Sequence, residues 1–112
     1  MARLVRGDIV VVPFPFSDLS QEKRRPALVL ASFDNGDCIL SQITSRPLRD
    51  QYAVPVRNED FTEGGLRRES NVRPNRLFTA NSEIILYRAG HLKTEKTTSV
   101  IARVVEILKK SP

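Results

Sequence analysis

The sequence predicts a mainly β fold: a small, strongly curved barrel with one C-terminal α-helix. Three observations carry this prediction. Short apolar runs rich in β-branched residues recur with turn signals between them. An Asn-Gly pair, the strongest short hairpin signal, joins two of these runs. Only the last segment has helical spacing. The length of 112 residues corresponds to one domain, expected to span residues 1–112.

The elements follow in order. Ile9-Val10-Val11-Val12, after the Gly7-Asp8 turn signal, reads as a buried strand, which Pro13 and Pro15 end or place at a sheet edge. Ser17 to Arg25 is polar and reads as a loop. Ala27 to Ala31 is a second strand, Asp34-Asn35-Gly36-Asp37 a turn, and Cys38 to Thr44 a third strand, so residues 27–44 form a hairpin. Residues 52–57 are a fourth strand, pushed to an edge by Pro55. Gly64-Gly65 marks a loop, and short strands near 71–73, 76–79 and 83–88 complete the β body. Val100, Ile101, Val104, Val105 and Leu108 then form an apolar stripe on one helical face, expected to lie on the barrel. Thr94 is its expected N-cap, with Glu95 in the first turn and Lys109 and Lys110 at the end. Short strands with one terminal helix are the mark of an SH3-like barrel.

The inventory excludes several chemistries. One cysteine, Cys38, allows no internal disulfide and fits a reducing cytoplasm. With a single histidine, His91, there is no structural zinc set and no two-histidine acid–base ribonuclease scheme. The acids are scattered, unlike the clustered carboxylates of metal-dependent nucleases, so no metal and no cofactor is expected. No phosphate loop, dinucleotide fingerprint or nucleophile elbow is present. Cys38 reads as a small core residue and His91 as a packing or surface residue. No apolar run approaches the roughly 18 residues of a membrane span, and the start MARLVRGD has no signal-peptide core. A cytoplasmic protein without membrane contact is therefore expected.

Charge points to a polyanion. Lys and Arg number 18 against 13 Asp and Glu, a net charge of +5, and most of the cations are arginine. The planar guanidinium fork matches phosphate oxygens. Two stretches place such groups at strand ends. In Glu22-Lys23-Arg24-Arg25-Pro26, arginines precede a strand. In Ser41-Gln42-Ile43-Thr44-Ser45-Arg46, a strand ends in two hydroxyls and an arginine. If the 27–44 hairpin turns near Asn35-Gly36, Arg25 and Thr44 to Arg46 lie at one open end. A guanidinium beside a hydroxyl suits a phosphate; ordinary strand-end polarity fits the same residues.

These stretches carry a family resemblance. Arg6-Gly7-Asp8-Ile9-Val10, then Arg25-Pro26 before Ala27-Leu28-Val29-Leu30, then Gln42-Ile43-Thr44-Ser45 resemble the PemK/MazF family of toxin endoribonucleases in motif and in order. The resemblance implies an SH3-like homodimer that cuts single-stranded RNA without a metal. It also implies a cognate antitoxin occupying the RNA groove, with DNA met only through the antitoxin complex. Carried over by residue, Arg25 matches the family's catalytic arginine and Thr44 its catalytic threonine. Phe16, Lys23, Arg24, Ser45, Arg46 and Arg49 are the RNA-binding residues expected around them. Phe16, in the loop, is the best candidate to stack on a base; Phe14, Phe61 and Phe78 are candidates better suited to the core. Segment 58–76 is richer in arginine than the family pattern suggests.

The chemistry that suits this inventory is attack by the RNA's own 2′-OH on the adjacent phosphorus, leaving a 2′,3′-cyclic phosphate and a 5′-OH. A guanidinium is a poor base at neutral pH, so Arg25 is assigned charge stabilisation. Two other readings use the same basic barrel: a non-catalytic module that grips nucleic acid or an acidic peptide, and a toxin directed at gyrase.

Overall fold

The structure is a computed structural model that describes residues 3–15, 22–46 and 49–112. The strands are β1 (Asp8–Pro15), β2 (Glu22–Ser32), β3 (Asp37–Thr44), β4 (Val54–Val56), β5 (Phe61–Gly64), β6 (Ser70–Asn81) and β7 (Tyr87–Leu92), followed by helix α1 (Thr94–Lys110). They form one sheet in the order β4-β6-β3-β2-β1-β7-β5, with every pairing antiparallel. The register shifts in β1–β7, β2–β3, β3–β6 and β5–β7. Each shift adds residues to one strand of a pair and bends it, which curls the sheet into a half-barrel. The mainly β, SH3-like barrel with a C-terminal helix is thus the observed architecture.

The continuous apolar runs of β1 and β2 have a direct explanation: both faces of these strands are buried. Ile9, Leu28 and Ile43 face one core with Val72, Leu92 and Val100. Val10, Val12, Ala27, Val29 and Leu40 face a second core with Leu4 and Ile85. Cys38 belongs to the second core, and burial pushes its thiol pKa up, as suits a packing residue. Phe61 and Phe78 pack on the two cores.

Several elements differ from the sequence reading. β1 does not stop at Pro13 but runs through Pro15. Among the described residues its pairing with β7 reaches only to Val11 and Val12–Pro15 pair with β2 alone, so the prolines stand at the sheet-edge position that the sequence offered as one of its two readings. β2 correspondingly starts at Glu22, and Lys23, Arg24 and Arg25 are strand residues, not loop residues. β5 was not anticipated, and Gly64 is its last residue. Residues 71–73 and 76–79 belong to one strand, β6, in which three extra residues bulge between the partners of Ser41 and Ile43. The predicted 83–88 strand begins later, at Tyr87, after a 3-10 turn.

The helix starts on Lys93 as N-cap, with Thr94 already inside it and no side-chain cap. Val100 is buried, and Ile101 and Val104 pack on the first core. The stripe does not stay on the barrel, since Val105 and Leu108 remain exposed, Leu108 by 68%.

The Arg6-Gly7-Asp8 motif locks the chain start to the sheet. Arg6 Nε donates to Leu30 O at 2.8 Å. Gly7 has φ +99°, and a Cβ there would stand 2.9 Å from His91 Cε1. Gly7→Ala is therefore expected to cost more than about 1 kcal/mol through strain and crowding. The check is the urea midpoint, and an unchanged midpoint contradicts the packing described.

Candidate functional site

The hairpin of β2 and β3 turns at Phe33–Gly36, where Phe33 N donates to Asp37 O and Gly36 takes φ +91°. Asn35 Oδ1 accepts from Asp37 N at 3.0 Å. This turn fixes the register, with Leu28 opposite Ser41 and Ala27 opposite Gln42. Two positions further out on the same strands, and on the same face, stand Arg25 and Thr44. The row continues sideways. Val12 pairs with Arg25, Thr44 with Asn71, and Asn71 with Pro55. Directly opposed residues share a face, so a guanidinium, a hydroxyl and a carboxamide line one rim.

Arg25 is half-buried, with its Nε below the surface. Thr44 ends β3 and is 6% exposed. Its Oγ1 accepts from the Arg46 N–H at 3.2 Å, which orients the hydroxyl and leaves its own proton to donate. Lys23 is exposed and shares the face of Arg25; Arg24 is exposed on the opposite face. Ser45 and Arg46 are exposed and line a cavity of about 220 Å³ together with Pro55, Arg57, Glu69 and Asn71. Arg49 is exposed beside the Asp50 turn, outside that cavity. Asp50 Oδ1 accepts from Tyr52 N, its other oxygen lies 3.5 Å from Arg73 Nε, and Arg103 donates to Gln51 O. Those contacts tie the β3–β4 connection to β6 and α1. Phe16 lies outside the described residues.

Asn71 and Arg57 escaped the sequence reading. The only available signal was the arginine-rich stretch. The β3–β6 and β4–β6 pairings that bring these residues to Thr44 join segments far apart in the chain.

The chain's one histidine lies elsewhere. Asp8, 2% exposed, accepts from Val5 N at 2.9 Å, Arg88 Nε at 2.9 Å and His91 Nδ1 at 2.8 Å. Burial would raise the Asp8 pKa, but these hydrogen bonds and the Arg88 charge outweigh it and hold it below the usual carboxylate range. Arg88 also reaches Glu63 Oε1 at 2.7 Å, which lowers the Glu63 pKa. The far edge of the His91 ring lies against Gly7. The Asp–His pair therefore fastens β1 to β7. Among the described residues no group of three His, Cys, Asp or Glu is placed to hold a metal ion, and no helix is long and apolar enough to cross a membrane.

The rim thus offers a fixed positive charge and hydrogen-bond donors beside an open cavity. It can hold a phosphodiester and stabilise negative charge growing on its oxygens.

Comparison with known proteins gives a consistent picture. A family model described as PemK-like, MazF-like toxin of type II toxin-antitoxin system matches residues 5–108. No curated protein matches the chain. Among solved structures, the chain resembles one from the MazE–MazF crystal structure (form II) of Deinococcus radiodurans, at 18% identity and TM-score 0.78 over 99% of this chain and 100% of that one. It resembles an endoribonuclease in complex with its cognate antitoxin from a mycobacterial species, at 12% identity and TM-score 0.74 over 97% and 96%. It also resembles the Mycobacterium tuberculosis toxin MazF-mt6, at 17% identity and TM-score 0.72 over 91% and 96%. At these identities the likeness is one of fold.

Proposed function

The chain belongs to the PemK-like, MazF-like toxin family of type II toxin–antitoxin systems, and from that membership and the rim geometry we propose that it is a metal-independent, sequence-specific endoribonuclease of single-stranded mRNA. The observation that carries the proposal is the placement of Arg25 and Thr44 on one face at the open end of the β2–β3 hairpin. The RNA's 2′-OH attacks phosphorus and releases its proton to solvent, as the bond to the 5′ oxygen breaks and that oxygen takes up a proton. The products are a 2′,3′-cyclic phosphate and a 5′-OH. Arg25 balances the additional negative charge of the pentacoordinate phosphorus, and Thr44 donates to a non-bridging oxygen. Lys23, Arg24, Ser45, Arg46 and Arg49 supply cationic and polar surface for the flanking strand, and Phe16 a stacking face.

The protein acts in the cytoplasm, where its substrate is. A homodimer and inhibition by a cognate antitoxin belong to the same proposal, the latter supported by the similarity to a toxin solved with its antitoxin. The experiment is sequencing of fragment ends from a defined RNA treated with the purified protein in chelator. The expected result is discrete cuts bearing cyclic-phosphate ends. Replacing the ribose at the cut position by 2′-deoxyribose is expected to abolish cutting there. Persistent cutting of that substrate excludes attack by the 2′ oxygen. Bound but uncut RNA leaves only a binding module.

A further inference from the structure

The arginines of segment 57–68 are not spread over the surface. The cavity beside Thr44 shares Arg57 and Glu69 with a second cavity of about 380 Å³, which is also lined by Glu59, Leu66, Arg67 and Arg68. The two cavities adjoin at Arg57 and Glu69, and taken together they form a trough that leads away from the proposed site past the end of β4 and the β5–β6 connection. Four guanidiniums line it, from Arg46, Arg57, Arg67 and Arg68, against the carboxylates of Glu59 and Glu69. The carboxylates do not neutralise it. Arg57 meets Glu59 and Glu69 only at 3.9 Å, with all three side chains largely exposed, and pairs of that kind are worth little. Among the described residues, Arg67 and Arg68 have no acidic partner.

The connection carrying these arginines is held in place. Leu66 packs on the first core. Gly65 N donates to Ala89 O, and Ser70 Oγ donates to Arg68 O at 3.0 Å. Arg67 and Arg68 therefore sit on a segment ordered before any ligand arrives, which reduces the ordering cost of binding.

We propose that this trough is an extended subsite for the RNA backbone flanking the cut, with Arg57, Arg67 and Arg68 holding phosphates beyond those at the rim. The inference rests on the nuclease reading for its direction, since the trough starts at Ser45 and Asn71, the chain neighbour and the strand partner of Thr44. A protein partner is less well served by it. Such partners anchor on buried aromatic or aliphatic pockets, and the trough offers guanidiniums, amides and hydroxyls, with Pro55, Val56 and Leu66 its apolar lining.

The test compares the wild-type protein with the double variant Arg67→Gln/Arg68→Gln, both sites being exposed. Two RNAs are built around a mapped cut site, one of about four nucleotides and one of about a dozen. Binding is measured with a non-cleavable 2′-deoxy residue at the cut, so the result does not depend on turnover. Losing two phosphate contacts is expected to flatten the slope of log K against log salt by about 1.4 for the long RNA. At 0.1 M salt that corresponds to roughly 25-fold weaker binding of the long RNA relative to the short one. KM for the long RNA should rise in step while kcat changes little. Equal effects on the two RNAs, or none, overturn the trough. So does loss of affinity confined to a polyglutamate peptide, which would assign the surface to an acidic protein. Failure of the wild-type protein to cut any RNA falls instead on the nuclease reading, and the binding comparison, then made with oligouridylates of the same two lengths, still decides the trough.

Discussion

Arg25→Ala is expected to lower the single-turnover cleavage rate by about 100- to 1,000-fold, and Thr44→Ala by a similar factor, with the fold intact. The magnitude comes from removing one preorganised donor from charge that develops only in the transition state, about 3–4 kcal/mol. The two side chains stand on neighbouring strands, and under the proposed mechanism they address the same phosphate, so their effects should not add. The double variant is expected to fall little below the worse single one. Arg25→Lys separates geometry from charge. It keeps the cation but loses the planar fork, and it should recover only a small part of the rate. Arg46→Ala, by contrast, removes a cation at the edge of the cavity and is expected to act mainly through KM. Neither variant at the rim touches the two cores, so thermal unfolding should change little. Full activity in Arg25→Ala or Thr44→Ala, measured on an RNA with a mapped cut, removes the assignment.

What the sequence conveyed follows from how local each feature is. The β2–β3 hairpin was readable because an Asn-Gly turn and two apolar runs lie within 18 residues, and a count from the turn brings Arg25 nearly opposite Thr44; the one-residue bulge of β2 between Val29 and Ala31, invisible in the sequence, completes the register. Pro13 and Pro15 left β1 either ended or at a sheet edge, and the second reading holds, since among the described residues Val12–Pro15 have a partner on one side only. β6 read as two strands because its bulge interrupts the alternation, and that bulge becomes visible only through the register with β3. The neighbours of Thr44 needed the same non-local information: Asn71 reaches it through β3–β6 and Pro55 through β4–β6. The excess of arginine was plain, but its gathering into a trough depends on Leu66 anchoring a connection that local signals do not describe. The helix stripe was correct in period and incomplete in extent, because amphipathic spacing does not say where the barrel surface ends.

The second large effect concerns Asp8, the acidic member of a motif that on sequence grounds pointed only to the family. Its carboxylate is 2% exposed and accepts three hydrogen bonds, two on Oδ1 from Arg88 and His91 and one on Oδ2 from Val5 N. Asp8→Asn keeps the shape but replaces one accepting oxygen with a donating amide that must face a donor. It also leaves the Arg88 guanidinium without its buried counter-charge. Arg88 is 36% exposed and keeps Glu63 at 2.7 Å, so the cost is that of the buried hydrogen-bonding groups left unsatisfied around Asp8, about 1–3 kcal/mol each, out of the roughly 5–15 kcal/mol that holds such a domain together. The melting temperature should fall by roughly 4–24 °C for one such group. The pH dependence has a definite sign. Hydrogen bonding holds the folded-state pKa of Asp8 below its ordinary value. Its stabilisation is therefore complete above the unfolded value near 4 and is lost as pH falls through the lower folded value. Wild-type stability from urea titrations should drop between about pH 5 and pH 2. The variant should lack the part of that drop that belongs to Asp8. Glu63, lowered in the same direction by Arg88, sits in water and should contribute little, so Glu63→Gln serves as the control. An Asp8→Asn protein that unfolds at the wild-type midpoint, with the same acid profile, would show that the network does not hold β1 to β7.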